Sequence, residues 1–280
     1  MTLGLLAAWA LALPAQPQQF PDGVLTLAQE HRVAAEDYLL DADVPTAVLV
    51  GSSMSAVLPK AALQPVYSLA MSGGSALTGL RLVEHAQQVP AVVFVEVNVL
   101  ERPADETLLA ETTQPYALWL KAHCEPCRTR NQPLTVVLAA LSRWRLKPLT
   151  AEELDRASAA APQGLHAQAF AIQQAGADEP VAPQILQQRM AELEAAAQTL
   201  TQRGVRLVFV ELPVHAAIAG GRHQLAVVEA ARRAFPLDRY KWLTFGDREY
   251  ATRDGVHLAY VDGRSVAQAI AAVASEEVRP

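Results

Sequence analysis

The stretch AVVFVEV, residues 91–97, decides the fold, because it is an apolar run, interrupted only by Glu96, and is rich in β-branched residues. Such a run is typical of a strand that is buried on both faces of a parallel sheet. Further runs of the same kind are AVLV (47–50), VYSLAM (66–71), RLVFVEL (206–212) and YKWLTF (240–245). We interpret all of these segments as strands of one sheet.

Segments with apolar residues at helical spacing separate these strands. They cover residues 25–40, 76–88, 184–203 and 222–235, and a last helix follows residue 258. Because strands alternate with helices, the sequence predicts an α/β fold of three layers, α/β/α, around a mostly parallel central sheet.

The pattern is weaker between about residues 100 and 183, where charged, proline-containing and alanine-rich pieces alternate. Helices are expected near 105–122, 133–145 and 151–160, so this region is interpreted as a largely helical insertion. Its aromatic residues could stack on sugars or on acyl chains, but we favour core packing, since buried aromatic rings dominate protein cores. These residues are Tyr116, Trp119 and Trp144.

The first 22 residues differ from the rest, which we describe as a single domain, 23–280. Leu3 to Leu13 are almost wholly apolar, but this run is too short to span a bilayer as a simple helix. It resembles the core of a secretory signal without the positive flank. Three interpretations stay open: a signal with a misplaced start, the end of a membrane anchor, or an apolar helix packed on the domain. The first two predict a periplasmic or membrane-anchored protein.

Composition excludes some functions. The net charge is −6, the pI is about 5.7, and the sequence contains no basic stripe, so nucleic acid is not expected as a partner. A hydrophobic content of 51% with 19% charged residues is typical of a folded globular protein.

The two cysteines, Cys124 and Cys127, are spaced as Cys-x-x-Cys. This spacing suits a redox couple, half of a zinc site or a local disulfide. Only His123 lies nearby as a third ligand, and tetrahedral zinc needs four, so no metal site is predicted. For an exported chain a disulfide that closes a small loop is the favoured interpretation.

Four short polar pieces follow strands or precede the last helix: GSSMS (51–55), MSGGS (71–75), EVNVLE (96–101) and DGVHL (254–258). In open parallel sheets the strand ends that carry such pieces form the site. Taken in order, the pieces resemble the four sequence blocks of the SGNH, or GDSL-like, hydrolase superfamily. The resemblance covers the framework of the chain but not the insertion, and it implies a flavodoxin-like sheet.

The resemblance assigns a role to one residue or more in each block. Ser53 matches the nucleophile, His257 the general base, and Asp254 the acid that orients the histidine. The backbone N–H groups of Ser53 and Gly73 and the side-chain amide of Asn98 match the donors of an oxyanion hole. A glycine at position 73 would let the backbone approach the reacting carbonyl closely.

Each block also has a simpler interpretation. Serine and asparagine after a strand are common turn or helix-cap residues, and Asp-Gly is a common turn. The piece GGSALTG superficially suggests a phosphate loop, but Leu80 and Arg81 stand where Lys-Ser/Thr is needed, so nucleotide binding is discarded. We expect no cofactor.

The first block departs from the family's Gly-Asp-Ser, because Ser52 stands in place of the aspartate. Gly-Ser-Ser is similar to the exported branch linked to alginate acetylation and teichoic-acid D-alanylation. The resemblance therefore implies an esterase or O-acyltransferase that acts on acylated carbohydrate, with acetylated cellulose as one candidate polymer. It also implies membrane-bound acyl-transfer or polymer-synthesis proteins as partners. The alternatives are a non-catalytic scaffold or polymer-binding subunit and a generic lipase or thioesterase.

Overall fold

The computed structural model describes residues 9, 13, 25–41, 44–145, 153, 163–246 and 248–278. Most of the N-terminal segment and of the helix expected at 151–160 lies outside the described residues. The contacts divide the chain into two compact units, Met1–Asp43 with Glu106–Thr150, and Val44–Asp105 with Ala151–Pro280. Within the described ranges, no helix combines the length and the apolar character that crossing a bilayer requires.

The second unit contains a five-stranded sheet in which all the pairs are parallel. The strands are β1 (Ala47–Gly51), β2 (Tyr67–Ala70), β3 (Val92–Glu96), β4 (Arg206–Glu211) and β5 (Lys241–Thr244). Their order is β2-β1-β3-β4-β5, and Val48 of β1 lies opposite both Tyr67 and Val93. The predicted α/β class with a parallel central sheet is confirmed. This is the flavodoxin-like strand order.

Helices account for most of the remaining described chain. In chain order they are α1 (Leu27–Leu40), α2 (Ser53–Ala56), α3 (Lys60–Leu63), α4 (Ala76–His85), α5 (Glu106–Thr113), α6 (Pro115–His123), α7 (Pro133–Arg145), α8 (Gln163–Ala177), α9 (Pro183–Gln202), α10 (Ala216–Ala219), α11 (Arg222–Ala234) and α12 (Tyr260–Glu277). Two short 3₁₀ turns, Glu125–Cys127 and Thr129–Asn131, precede α7.

Alternate side chains of the strands face two different helical layers. On one face Leu49 and Phe94 pack in a core cluster with Ile270 of α12. On the other face α4 lies close to β1, because a Cβ at Gly79 would overlap the Val50 side chain. Both faces are therefore covered, which explains why β1 and the first four residues of β3 are apolar.

The first unit is helical, and its centre is a buried carboxylate. Glu36 of α1 is 2% exposed, and Lys121 pairs with it at 2.7 Å. The backbone N–H and the hydroxyl of Thr129 also donate to Glu36, each at 2.7 Å. Cys124 and Cys127 are joined by a disulfide, and they precede the 3₁₀ turn Thr129–Asn131 in the chain.

The helix expected at 105–122 is divided into α5 and α6. Gln114 is extended, with ψ of 132°, because the ring of Pro115 disfavours the helical conformation of the residue before it. The assignment of aromatic residues to the core was wrong for Tyr116 and Trp119, which are 71% and 64% exposed. The side chain of Trp144 lies outside the described residues.

Candidate active site

The turn from β1 into α2 places Ser53 at the carboxyl edge of the sheet. Ser52 is the N-cap of α2, and its hydroxyl accepts from the Met54 N–H at 3.2 Å. Ser53 is the first residue of the helix. In this strand order the chain reverses its direction of winding between β1 and β3, and ligand sites of open α/β sheets form at this switch point.

Ser53, His257 and Asp254 are hydrogen-bonded in series. His257 Nε2 lies 2.9 Å from Ser53 Oγ, and His257 Nδ1 lies 2.6 Å from Asp254 Oδ2. An ionised carboxylate can only accept, so Nδ1 carries the proton in this arrangement. Nε2 is then the acceptor and receives the hydrogen bond of the Ser53 hydroxyl. The arrangement can remove a proton from that hydroxyl.

A tight turn fixes the relative position of Asp254 and His257. Asp254 Oδ1 accepts from the N–H groups of Val256 at 3.1 Å and His257 at 2.8 Å. Gly255 has φ of +96°, and an added Cβ would overlap the side chains of Ile218 and Phe170. Only glycine satisfies both constraints, so the turn depends on it.

The same hydrogen bonds control the ionisation of Asp254. Burial alone would raise its pKa, but hydrogen bonds from the side chain and backbone of His257 outweigh burial and lower the pKa to about 2. Asp254 is therefore an anion throughout the neutral range. It can stabilise a positive charge on the His257 ring.

We expect Asp254 to stabilise the fold in a pH-dependent way. Because its pKa is lower in the folded chain than its ordinary value of 3.8, its contribution is complete above that value and is lost as the pH falls towards 2. Urea unfolding of wild type and Asp254→Asn should therefore give a difference in unfolding free energy that narrows as the pH falls from about 6 to about 3. A difference that is constant over this range would contradict the assigned ionisation.

Asn98 follows β3 and is held by the backbone of the neighbouring strand's end. Its Oδ1 accepts from the Leu212 N–H at 2.8 Å, and its Nδ2 donates to the Leu212 carbonyl at 2.9 Å. These two bonds fix the orientation of the amide. An amide nitrogen has two hydrogens, so the second N–H is left to serve a ligand. Asn98 lines the same cavity as Ser53 and His257.

Gly73 is placed differently. It is an exposed residue in the turn after β2, with φ of +78°, and an added Cβ would meet nothing within 4 Å. The left-handed backbone by itself favours glycine at this position, and the expected close approach to a substrate carbonyl stays a prediction. It is not among the residues that line the cavity with Ser53. Its role as an oxyanion donor stays a prediction.

The cavity at Ser53 is small and has a polar wall. Its volume is about 240 Å³, and Met54, Val99, Ile218 and Val256 contribute the apolar part of its lining. The polar part includes Glu101, Arg102, Gln173, His223 and Gln224. A groove of about 830 Å³ adjoins it and shares Asn98 and Gln224 with it.

A buried carboxylate beneath Ser53 was not found from the sequence. Glu96 is 1% exposed, and its Oε2 accepts from the N–H groups of Ser52 at 2.9 Å and Ser55 at 3.1 Å. The hydroxyls of the same two serines donate to Glu96 at 2.6 and 2.5 Å. Gly51 has room for no side chain, since a Cβ would overlap Glu96 Oε2. The sequence feature that could have revealed it is an acidic residue, Glu96, inside a strand that is expected to be buried on both faces.

The environment of Glu96 also shifts its ionisation. Burial raises its pKa, and the hydrogen bonds from the side chains and backbone of Ser52 and Ser55 oppose the shift only in part. The carboxyl group therefore binds a proton more tightly in the folded chain than in the unfolded chain.

Neither a search for metal-ligand clusters among the described residues nor a comparison with known proteins assigns a further role to these residues. In the described part of the chain, no group of three or more His, Cys, Asp or Glu side chains is arranged to hold a metal ion. No model of a known protein family matches the sequence, and no curated protein matches it.

Proposed function

We propose that the protein is a serine-dependent esterase or O-acyltransferase of the SGNH type. The observation that carries the proposal is the hydrogen-bonded series Ser53–His257–Asp254 at the switch point of the sheet. Asn98 lines the same cavity and adds a fixed amide donor. A nucleophile, a base and an orienting acid in hydrogen-bond reach are the parts that acyl transfer needs.

The proposed reaction has two steps through an acyl-enzyme. Ser53 Oγ forms a bond to the ester carbonyl carbon while its proton passes to His257 Nε2. The bond between that carbon and the alcohol oxygen then breaks, and His257 gives the proton to the departing alcohol. Water or a second alcohol attacks the acyl-Ser53, loses its proton to His257, and releases the acid or the new ester. Ser53 recovers its proton from His257.

The size of the cavity favours a short acyl group. At about 240 Å³ it lies below the range of roughly 300–1,000 Å³ that holds drug-sized ligands. An acetyl group fits this volume, whereas a fatty acyl chain would have to extend into the adjoining groove of about 830 Å³.

The resemblance of the Gly-Ser-Ser block supplies the rest of the proposal. It points to a cell-envelope or secreted polysaccharide as substrate, including cellulose, and to a location in the periplasm or on a membrane facing it. Membrane-bound acyl-transfer or polymer-synthesis proteins are the partners that such a role requires.

The proposal is tested by turnover and by covalent labelling. The folded protein should hydrolyse 4-nitrophenyl acetate, and a fluorophosphonate should block this activity by attaching to Ser53, as peptide mapping by mass spectrometry would show. Ser275 is the control serine for the labelling. Its hydroxyl donates to the Ala271 carbonyl within α12 and not to a histidine, so it should not be labelled. Labelling that survives in Ser53→Ala would show that another residue is the nucleophile, whereas a folded protein without turnover or labelling would favour the scaffold function.

A further inference from the structure

A second pair of ionisable side chains lies in the cavity that contains Ser53. His223 Nε2 is 3.4 Å from Glu101 Oε1, and both residues line the cavity. Glu101 belongs to the loop after β3, and His223 lies in the first turn of α11. The reaction proposed above uses neither of them.

The carboxylate of Glu101 is only half satisfied. Its side chain is 15% exposed, and Oε1 faces His223 at 3.4 Å and Arg102 at 3.9 Å. Oε2 is buried and has no hydrogen-bond partner among the described residues. The exposed part of the Glu101 side chain lines the cavity, so its carboxylate can accept a hydrogen bond from a donor that binds there.

The neighbouring charges select the kind of donor. Hydrogen bonding to Glu101 raises the pKa of His223, while burial opposes the shift, and Arg102 carries a second positive charge beside the same carboxylate. Glu101 already has the guanidinium of Arg102 beside it, so a second cation is not needed to offset its negative charge. A neutral hydroxyl group can donate to the carboxylate without adding a charge to the cavity.

The other polar lining suits a ligand with several hydroxyl groups. Gln173 and Gln224 each offer an amide donor and an acceptor in the same cavity. We propose that Glu101 and His223 form a subsite that binds a free hydroxyl of the alcohol part of the ester, so that the enzyme selects esters of polyhydroxylated alcohols. This inference rests on the proposed function of Ser53.

The subsite is tested by comparing two substrates that share the acyl group. For Glu101→Gln we expect the ratio of kcat/KM for a monoacetylated cellobiose to kcat/KM for 4-nitrophenyl acetate to fall at least about tenfold, the effect of losing one good hydrogen bond. His223→Gln should shift the ratio in the same direction. Glu276→Gln and His85→Gln, at exposed positions on α12 and α4, are the matched controls. A ratio that stays constant in Glu101→Gln overturns the assignment.

Direct binding separates this inference from the proposed function. Ser53→Ala should bind cellobiose in an NMR titration, and the added change Glu101→Gln should weaken that binding about tenfold. If Ser53-dependent turnover occurs but the binding does not depend on Glu101, the subsite is wrong and the proposed function stands. If Glu101-dependent binding occurs without Ser53-dependent turnover, the proposed function is wrong and the subsite stands.

Discussion

Replacing Ser53 by alanine is expected to lower kcat for acetyl-ester hydrolysis by about a million-fold, the scale on which removing a serine nucleophile acts in other hydrolases. The physical reason is that no other described side chain donates a hydroxyl to His257 Nε2. His257→Ala should have nearly the same effect, and the double variant should lose little more. Residues that act as one unit give strongly non-additive losses.

The measurement is initial-rate release of 4-nitrophenol by wild type and by the two variants. Ser53 is the first residue of a short helix and is itself only partly buried, so its replacement should leave the thermal unfolding midpoint almost unchanged. Ser275→Ala, which alters a serine on α12, provides the matched control for purification and handling. Full activity in Ser53→Ala would exclude Ser53 as the nucleophile, whatever its distance from His257.

The central strands could be predicted because they are buried on both faces. A strand in this position needs mainly apolar residues, and β1 and β3 have this composition except for Glu96 at the end of β3. The division between α5 and α6 depends on one residue pair, Gln114 and Pro115, whose local effect a pattern of apolar spacing does not register. The exposure of Tyr116 and Trp119 depends on which other segments pack against their rings. Amino-acid composition does not determine those contacts.

In the candidate site, too, contacts between residues close in sequence could be predicted, whereas contacts between distant residues could not be predicted from local patterns. Asp254 and His257 are three residues apart, so a turn alone brings them together and their pairing could be expected from DGVH. Ser53 and His257 are 204 residues apart, and only the resemblance to a family suggested that they meet. Glu101 and His223 also belong to distant segments, and although Glu101 ends the block EVNVLE, no motif marks His223.

Replacing Glu96 is expected to have the second large effect, on the stability of the fold as well as on the reaction rate. Glu96→Ala should lower the free energy of unfolding by about 3–5 kcal/mol, because each buried donor left without a partner costs about 1–3 kcal/mol and a cavity adds to this. The donors are the backbone N–H groups of Ser52 and Ser55, which lie on either side of Ser53 in the chain. We therefore also expect a lower kcat, since these bonds hold the turn that presents the nucleophile.

Glu96→Gln is the matched control, because its side chain has nearly the same shape. Its oxygen can keep the two backbone N–H bonds made to Oε2, while its NH₂ group faces the Ser52 hydroxyl, which can accept. The glutamine variant should thus retain most of the stability and of the rate that the alanine variant loses. If both variants lose the same amount, the hydrogen bonds to the carboxylate are not what supports the turn.

The pH dependence of the glutamine variant tests the buried charge itself. Since burial raises the pKa of Glu96, the folded chain binds the proton more tightly than the unfolded chain does, and the contribution of Glu96 to stability is lost as the pH rises above its ordinary value of 4.5. The unfolding free energy of wild type relative to Glu96→Gln should therefore decrease as the pH rises from that value. Urea titrations across the range would measure it. An increase instead would mean that four donors stabilise the ionised carboxylate by more than burial opposes it, and that α2 begins above a fixed negative charge.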